Sequence, residues 1–366
     1  MNKVIMVGAD VHDKNILVKV SLGKEQPREK SFANNCSGRE VMYRYLMRMR
    51  EQTGAGRIVF VYEASAIGFG LYDELTGIGV DCYVLAPTNI TRSVRHRRRK
   101  TDPADALRLL EIVRGHVLAG NELPAIWIPD QATREDRELV RIRIDVGKKI
   151  VVLKAQIVAL LNRKGLRKPA EVGKNWSVRH RRWLGKNLEE GMTQYPRSRQ
   201  ALESLVRQLR ALEEEERTLD REILALSKTH RYQPVVKELV RLKGVGILTA
   251  MVFLTELGDL SRFGNRRELG AYLGLAPSSY ESGERNDRKG HITHDGPYRL
   301  RKVLCQASWS RVRTDPDEKQ VYARIVARNP KKKKIAVVAA MRRLGIRMWH
   351  VGLRVQQEEG IFAQVA

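Results

Sequence analysis

Along the first 125 or so residues, apolar positions come in short runs separated by polar turns. Residues 4–10 and 15–22 read as two strands joined by a tight polar turn, and residues 58–63 and 80–85 as two more. Ser37 is placed to cap a helix over residues 37–49, and another helix opens at Thr101-Asp102-Pro103-Ala104-Asp105. Strands alternating with helices predict an α/β domain with a mixed sheet over residues 1–128.

From Gln131 the period changes. Leu139, Ile142, Val146, Ile150, Leu153, Ile157 and Leu160 recur three or four apart. Leu202, Leu205, Leu209, Leu212, Leu219, Ile223 and Leu226 repeat the pattern, with Glu216 breaking the heptad. Two such helices predict a long antiparallel coiled-coil arm over residues 129–233. Residues 234–366 read as a helical domain with glycine breaks. There Leu242-Lys243-Gly244-Val245-Gly246 lies between two apolar helices, like a helix-hairpin-helix element. The backbone N–H groups at Lys243, Gly244 and Gly246 can then face a phosphate; a plain helix-helix turn fits the same residues.

Charge narrows the function. The formal net charge is +26 and the pI near 10.2, and an excess of this size points to a polyanionic partner, nucleic acid above all. The cations are clustered: Arg97, Arg98, Arg99 and Lys100 precede the helix at Asp102, and Lys331, Lys332 and Lys333 precede the last helix, 335–355. At the tip of the arm, Arg181 and Arg182 interleave with Trp176 and Trp183, a mixture suited to base stacking and phosphate contact together. Cys36, Cys82 and Cys305 form no close pair and are expected as reduced, buried thiols, which excludes a disulfide framework and structural zinc. No signal peptide or membrane span is expected, and the chain reads as a cytosolic protein.

Against this basic background, four carboxylates stand out. Asp10 and Glu63 sit at strand ends that can share one sheet edge, and Asp102 and Asp105 are three apart at a helix start, hence on one face. Convergent carboxylates repel unless a hard cation lies between them, and Mg²⁺ is the expected ion. Taken singly, Asp102 followed by Pro103 reads as a helix cap ahead of a catalytic residue, with Asp105 a dipole-favoured charge in the first turn.

These motifs resemble a known family, the bacterial insertion-sequence transposases that join a RuvC-like (RNase H-like) DEDD domain to a C-terminal serine transposase domain, some of them guided by a bridge RNA. The resemblance runs through Val7-Gly8-Ala9-Asp10, Tyr62-Glu63-Ala64-Ser65, Lys100-Thr101-Asp102-Pro103-Ala104-Asp105-Ala106, Tyr272-Leu273-Gly274-Leu275-Ala276-Pro277, Tyr280-Glu281-Ser282-Gly283 and Gly290-His291-Ile292-Thr293. It implies that Asp10, Glu63, Asp102 and Asp105 are catalytic and bind the metal, and that Ser282 is the nucleophile joined transiently to a DNA phosphate. His294 stands where the family usually has Lys, and Ala66 where it often has Gly. The implied partners are donor and target DNA, a bridge RNA and further copies of the chain, as a dimer or as a tetramer in the synaptic complex. Two other functions fit the residues: a RuvC-like junction nuclease using the acidic quartet alone, and a non-catalytic nucleic-acid scaffold in which the carboxylates are caps and surface groups.

Overall fold

A computed structural model describes residues 3–87, 102–279, 289–328, 330–331 and 333–360. The chain divides into two compact units, residues 1–128 and 129–366.

The first unit is a five-stranded mixed sheet in the order β3-β2-β1-β4-β5, built from β1 (Val4–Val11), β2 (Asn15–Leu22), β3 (Arg28–Ala33), β4 (Arg57–Glu63) and β5 (Asp81–Leu85). β1 pairs antiparallel with β2 and parallel with β4, and β4 pairs parallel with β5. β1 is central and covered on both faces, hence its nearly continuous apolar run. Its odd positions Ile5, Val7 and Ala9 pack with Met42 and Leu46 of α1 (Cys36–Thr53) and Leu71 and Leu75 of α2 (Gly70–Gly77). Its even position Met6 packs with Val59, Val61 and Leu109, Leu110 and Val113 of α3 (Asp102–Ala119).

Three local readings are corrected. β3 escapes the sequence pattern because it is an edge strand, Arg-Glu-Lys-Ser-Phe-Ala, with only Phe32 buried. Asn35, not Ser37, caps α1: its Oδ1 accepts from the Gly38 amide at 2.8 Å, and the helix begins two residues before the expected cap. Cys36, in the first turn of α1, is exposed, whereas Cys82 is buried and its thiol pKa is pushed up by that burial.

In the second unit α4 (Gln131–Arg163) and α6 (Pro196–Ser227) pack together, connected through α5 (Val178–Lys186). Ion pairs give their register: Arg143 meets Glu216 at 2.9 Å and Asp220 at 2.7 Å, while Lys154 meets Glu213 at 3.1 Å, so the helices run antiparallel. Val146, Ile150, Leu153, Ile157 and Leu160 interlock with Leu202, Val206, Leu209 and Leu219. Ile142, expected on this seam, is exposed. Near the base of α4 the buried stripe turns to Val140 and Ile144, because there the helix also faces the C-terminal core.

That core is built from α7 (Gln233–Leu239), α8 (Ile247–Leu257), α9 (Arg266–Tyr272), α10 (Tyr298–Thr314) and α12 (Lys333–Glu358), with α11 (Pro316–Arg328) packed on α10 and α12. Phe253, Leu304, Leu344 and Met348 fill it, and the buried Trp349 indole donates to the Leu260 carbonyl at 2.9 Å. Strands β6 (Pro277–Ser279) and β7 (Lys289–Ile292) pair antiparallel. Among the described residues no helix is long and apolar enough to cross a membrane.

Candidate metal centre

Two strand ends and a helix start carry the acidic residues. β1 and β4 run parallel with Ala9 beside Tyr62, so the next residue of each, Asp10 and Glu63, lies on neighbouring strands at one sheet edge. The two-residue period puts Asp10 on the face of Met6, and Glu63 on the face of Val59 and Val61, which α3 covers. α3 comes close because position 8 is glycine: a Cβ there would stand 2.5 Å from the Ala106 carbonyl oxygen. Its first turn supplies Asp102 and Asp105.

The tightest group is Asp10, His12 and Asp102, whose candidate ligand atoms all lie within 4.8 Å of one another; Glu63 and Asp105 fall outside that group. His12 Nε2 donates to Asp10 Oδ2 at 3.1 Å and stands 3.6 Å from Asp102 Oδ1. The Asp10 side chain is 17% exposed against 48% for Asp102. Burial raises the Asp10 carboxyl above its ordinary value; the charges of Asp102 and Asp105 add to the rise and His12 opposes it. His12, in the turn that follows β1, was missed in the sequence.

The expected nucleic-acid contacts divide. Trp176 and Trp183 pack on the core between α4 and α6 and flank the buried His180, with ring centroids 5.1 and 5.5 Å away. Arg181 is committed to Glu213 through two hydrogen bonds of 2.8 Å, whereas Arg182 is exposed and unpaired among the described residues. Gly244, at φ +87°, faces protein: a Cβ there would lie 2.4 Å from the Ala307 carbonyl oxygen on α10. Gly246 has open space beside it and begins α8 with no side-chain cap, and Lys243 is exposed next to it. Lys331 and Lys333 are exposed. Arg97, Arg98, Arg99, Lys100, Ser282 and Lys332 lie outside the described residues. His291 and His294, on the far side of residues 280–288 from β6, are exposed.

A mixed-sheet α/β unit with an acidic centre at its strand ends, followed in one chain by a basic helical unit, is the class of protein defined here. Residues 7–165 match a transposase profile of the DEDD IS110 type, and residues 236–323 match the profile described as the transposase IS116/IS110/IS902 family. The chain belongs to that insertion-sequence transposase family and carries its DEDD transposase domain. It is 32% identical over 254 residues to Sinorhizobium fredii y4qE, named as a transposase, covering 69% of this chain and 58% of the length of that relative. It is 26% identical over 319 residues to the transposase for insertion sequence element IS1533 of Leptospira borgpetersenii, covering 84% of this chain and 86% of that protein. The transposase for IS1111A of Coxiella burnetii is 28% identical over 130 residues, covering 35% of each chain.

Proposed function

We propose that this chain cleaves and exchanges DNA strands to move an insertion sequence, with Mg²⁺ held among Asp10, Glu63, Asp102 and Asp105. The observation that carries the reading is the half-buried Asp10 carboxyl, which shares a group of candidate ligand atoms within 4.8 Å with His12 and Asp102; burial and the charges of Asp102 and Asp105 disfavour its ionised form, a cost that a divalent cation relieves. Of the four carboxylates, Asp10 and Asp102 stand together in the 4.8 Å group with His12, and two carboxylates of this kind suit such an ion, while Glu63 and Asp105 lie outside that group. Oxygens bound at about 2.1 Å can stand up to about 4.2 Å apart across it, so the 4.8 Å group needs only small side-chain rotations to close. When bound, the cation supplies Lewis-acid polarisation of a phosphate. His12 orients Asp10 through its hydrogen bond, and α3 holds Asp102 against the strand end.

Ser282 is assigned the nucleophile. Its Oγ–P bond forms as a backbone P–O bond breaks; the hydroxyl proton passes to a base, and the departing DNA oxygen takes up a proton. The phosphoester keeps the bond energy, so a second strand end can reverse the step without an external energy source. We assign α4 and α6 as a coiled-coil arm that pairs with a second copy, and the open start of α8 with Lys243 as a helix-hairpin-helix phosphate contact. A guide RNA is the partner assigned to target choice, supported by exposed cations such as Arg182 and Lys243 that suit backbone phosphates; sequencing RNA that copurifies with the chain tests it.

The serine step is tested by trapping. Wild type is expected to give a metal-dependent covalent DNA adduct and Ser282→Ala none. Cleavage that survives Ser282→Ala and disappears in Asp102→Asn supports instead a nuclease working from the acidic centre alone.

A further inference from the structure

α10 and α11 leave an open groove of about 580 Å³ between them, and its chemistry differs from the rest of the helical unit. Trp309, Val312 and Arg313 fall at i, i+3 and i+4 on α10, so they share one face. Lys319, Tyr322, Ala323 and Val326 fall at i, i+3, i+4 and i+7 on α11 and make the facing one. Yet α11 fully buries only Glu318, so its apolar face stays half covered. Trp309 is 41% exposed, with its ring centroid 5.7 Å from that of Tyr322. Arg313 and Lys319 line the groove, both exposed and without an ion-pair partner among the described residues, and no acidic side chain lines it.

We propose that this groove seats single-stranded DNA, with unpaired bases on Trp309 and Tyr322 and the sugar-phosphate backbone on Arg313 and Lys319. The inference rests on the strand-exchange reading above, because breaking and exchanging strands is what presents unpaired DNA. Aromatic rings flanked by cations accept any base by its face, whereas in a duplex those faces are stacked on one another and out of reach. A second copy of the chain is a poor occupant. The chain carries +26, and three residues of its four-residue acidic run are paired internally: Glu213 with Arg181 and Lys154, Glu214 with Arg217, and Glu216 with Arg143. A polyanion with flat apolar faces satisfies both the charge and the uncovered rings.

The test uses the full chain and a short oligodeoxynucleotide carrying 5-iodouracil, with photo-crosslinks mapped by mass spectrometry and affinities taken from fluorescence anisotropy. Adducts are expected on Trp309 or Tyr322. Trp309→Ala and Tyr322→Ala, which leave charge unaltered, are expected to weaken single-strand binding roughly tenfold each, with duplex binding changed less than twofold. Trp309→Phe retains most of the affinity and controls for folding. Adducts confined to other residues, alanine variants that bind like wild type, an oligoribonucleotide held more than tenfold tighter by the groove, or variants that only shift the oligomeric state each overturn the proposal. Metal-dependent cleavage by the wild type is scored separately, so a chain that cleaves DNA without crosslinking here loses the groove and keeps the acidic centre.

Discussion

Gly8 and Leu110 meet backbone to backbone: a Cβ on Gly8 would lie 2.2 Å from the Leu110 amide nitrogen. α3 can lie flat on the sheet only because position 8 has no side chain, and the same approach brings Asp102 to Asp10. The obstruction is main chain, so no rotamer change relieves it. Gly8→Ala is expected to cost about 3 kcal/mol in denaturant unfolding of the first unit, at the upper end for overpacking. It also weakens metal binding, and unchanged stability and binding would remove this account of how the centre is assembled.

Asp10 is expected to show a trade between stability and function. Replacing it with asparagine removes the charge that burial, Asp102 and Asp105 disfavour. Asp10→Asn should therefore melt higher than wild type without metal and lack the rise in Tm that Mg²⁺ is expected to give wild type. Calorimetric scans with and without Mg²⁺ read both effects.

The packed pair α4 and α6 has its own pH dependence. The hydrogen bonds from Arg181, with help from Lys154, hold the Glu213 carboxyl below its ordinary value of 4.5 although burial pushes it the other way. A carboxyl lowered in the folded state contributes stability that is present above its unfolded pKa and lost as pH falls through the folded value. Protection of α6 amides against hydrogen exchange should thus fall progressively as pH drops below the unfolded value of 4.5. At pH 7, Glu213→Gln should cost roughly 2 kcal/mol, as expected for hydrogen bonds to a charged group, and flatten this pH dependence.

Neighbouring arginines at the tip are expected to behave differently. Arg181 is tied to Glu213, so Arg181→Ala loosens the arm with little effect on DNA affinity. Arg182 is exposed without a partner among the described residues, so Arg182→Ala weakens DNA binding and lowers the log-log salt slope by about one while leaving stability unchanged. Salt titrations of both variants separate the roles.

How far the sequence announced this structure depends on which residues carried two jobs. β1 and β4 were legible because central strands are apolar throughout, and the long helices because their leucines keep one period. β3 was not, since an edge strand needs a single buried phenylalanine. Ile142 misled because helix period cannot show where a second surface, here the C-terminal core, takes over the buried stripe. At the centre, Asp10 and Asp102 were visible as acids in a basic chain. His12 was not, because a lone exposed histidine acquires meaning only when Asp102 is seen 3.6 Å from its ring. Gly244 read as a phosphate contact, yet its missing side chain makes room for α10.

The central claim is that the carboxylates around Asp10 hold the cation on which strand cleavage depends. The direct measurement is single-turnover cleavage of DNA carrying the ends of the insertion sequence, titrated with Mg²⁺, for wild type, Asp10→Asn and Asp102→Asn. Wild type is expected to cleave with a saturable Mg²⁺ dependence and both variants to lose at least about 100-fold, the scale on which removal of one transition-state stabilising group is felt. Folded variants that cleave at the wild-type rate, or wild-type cleavage that is indifferent to a metal chelator, would contradict it.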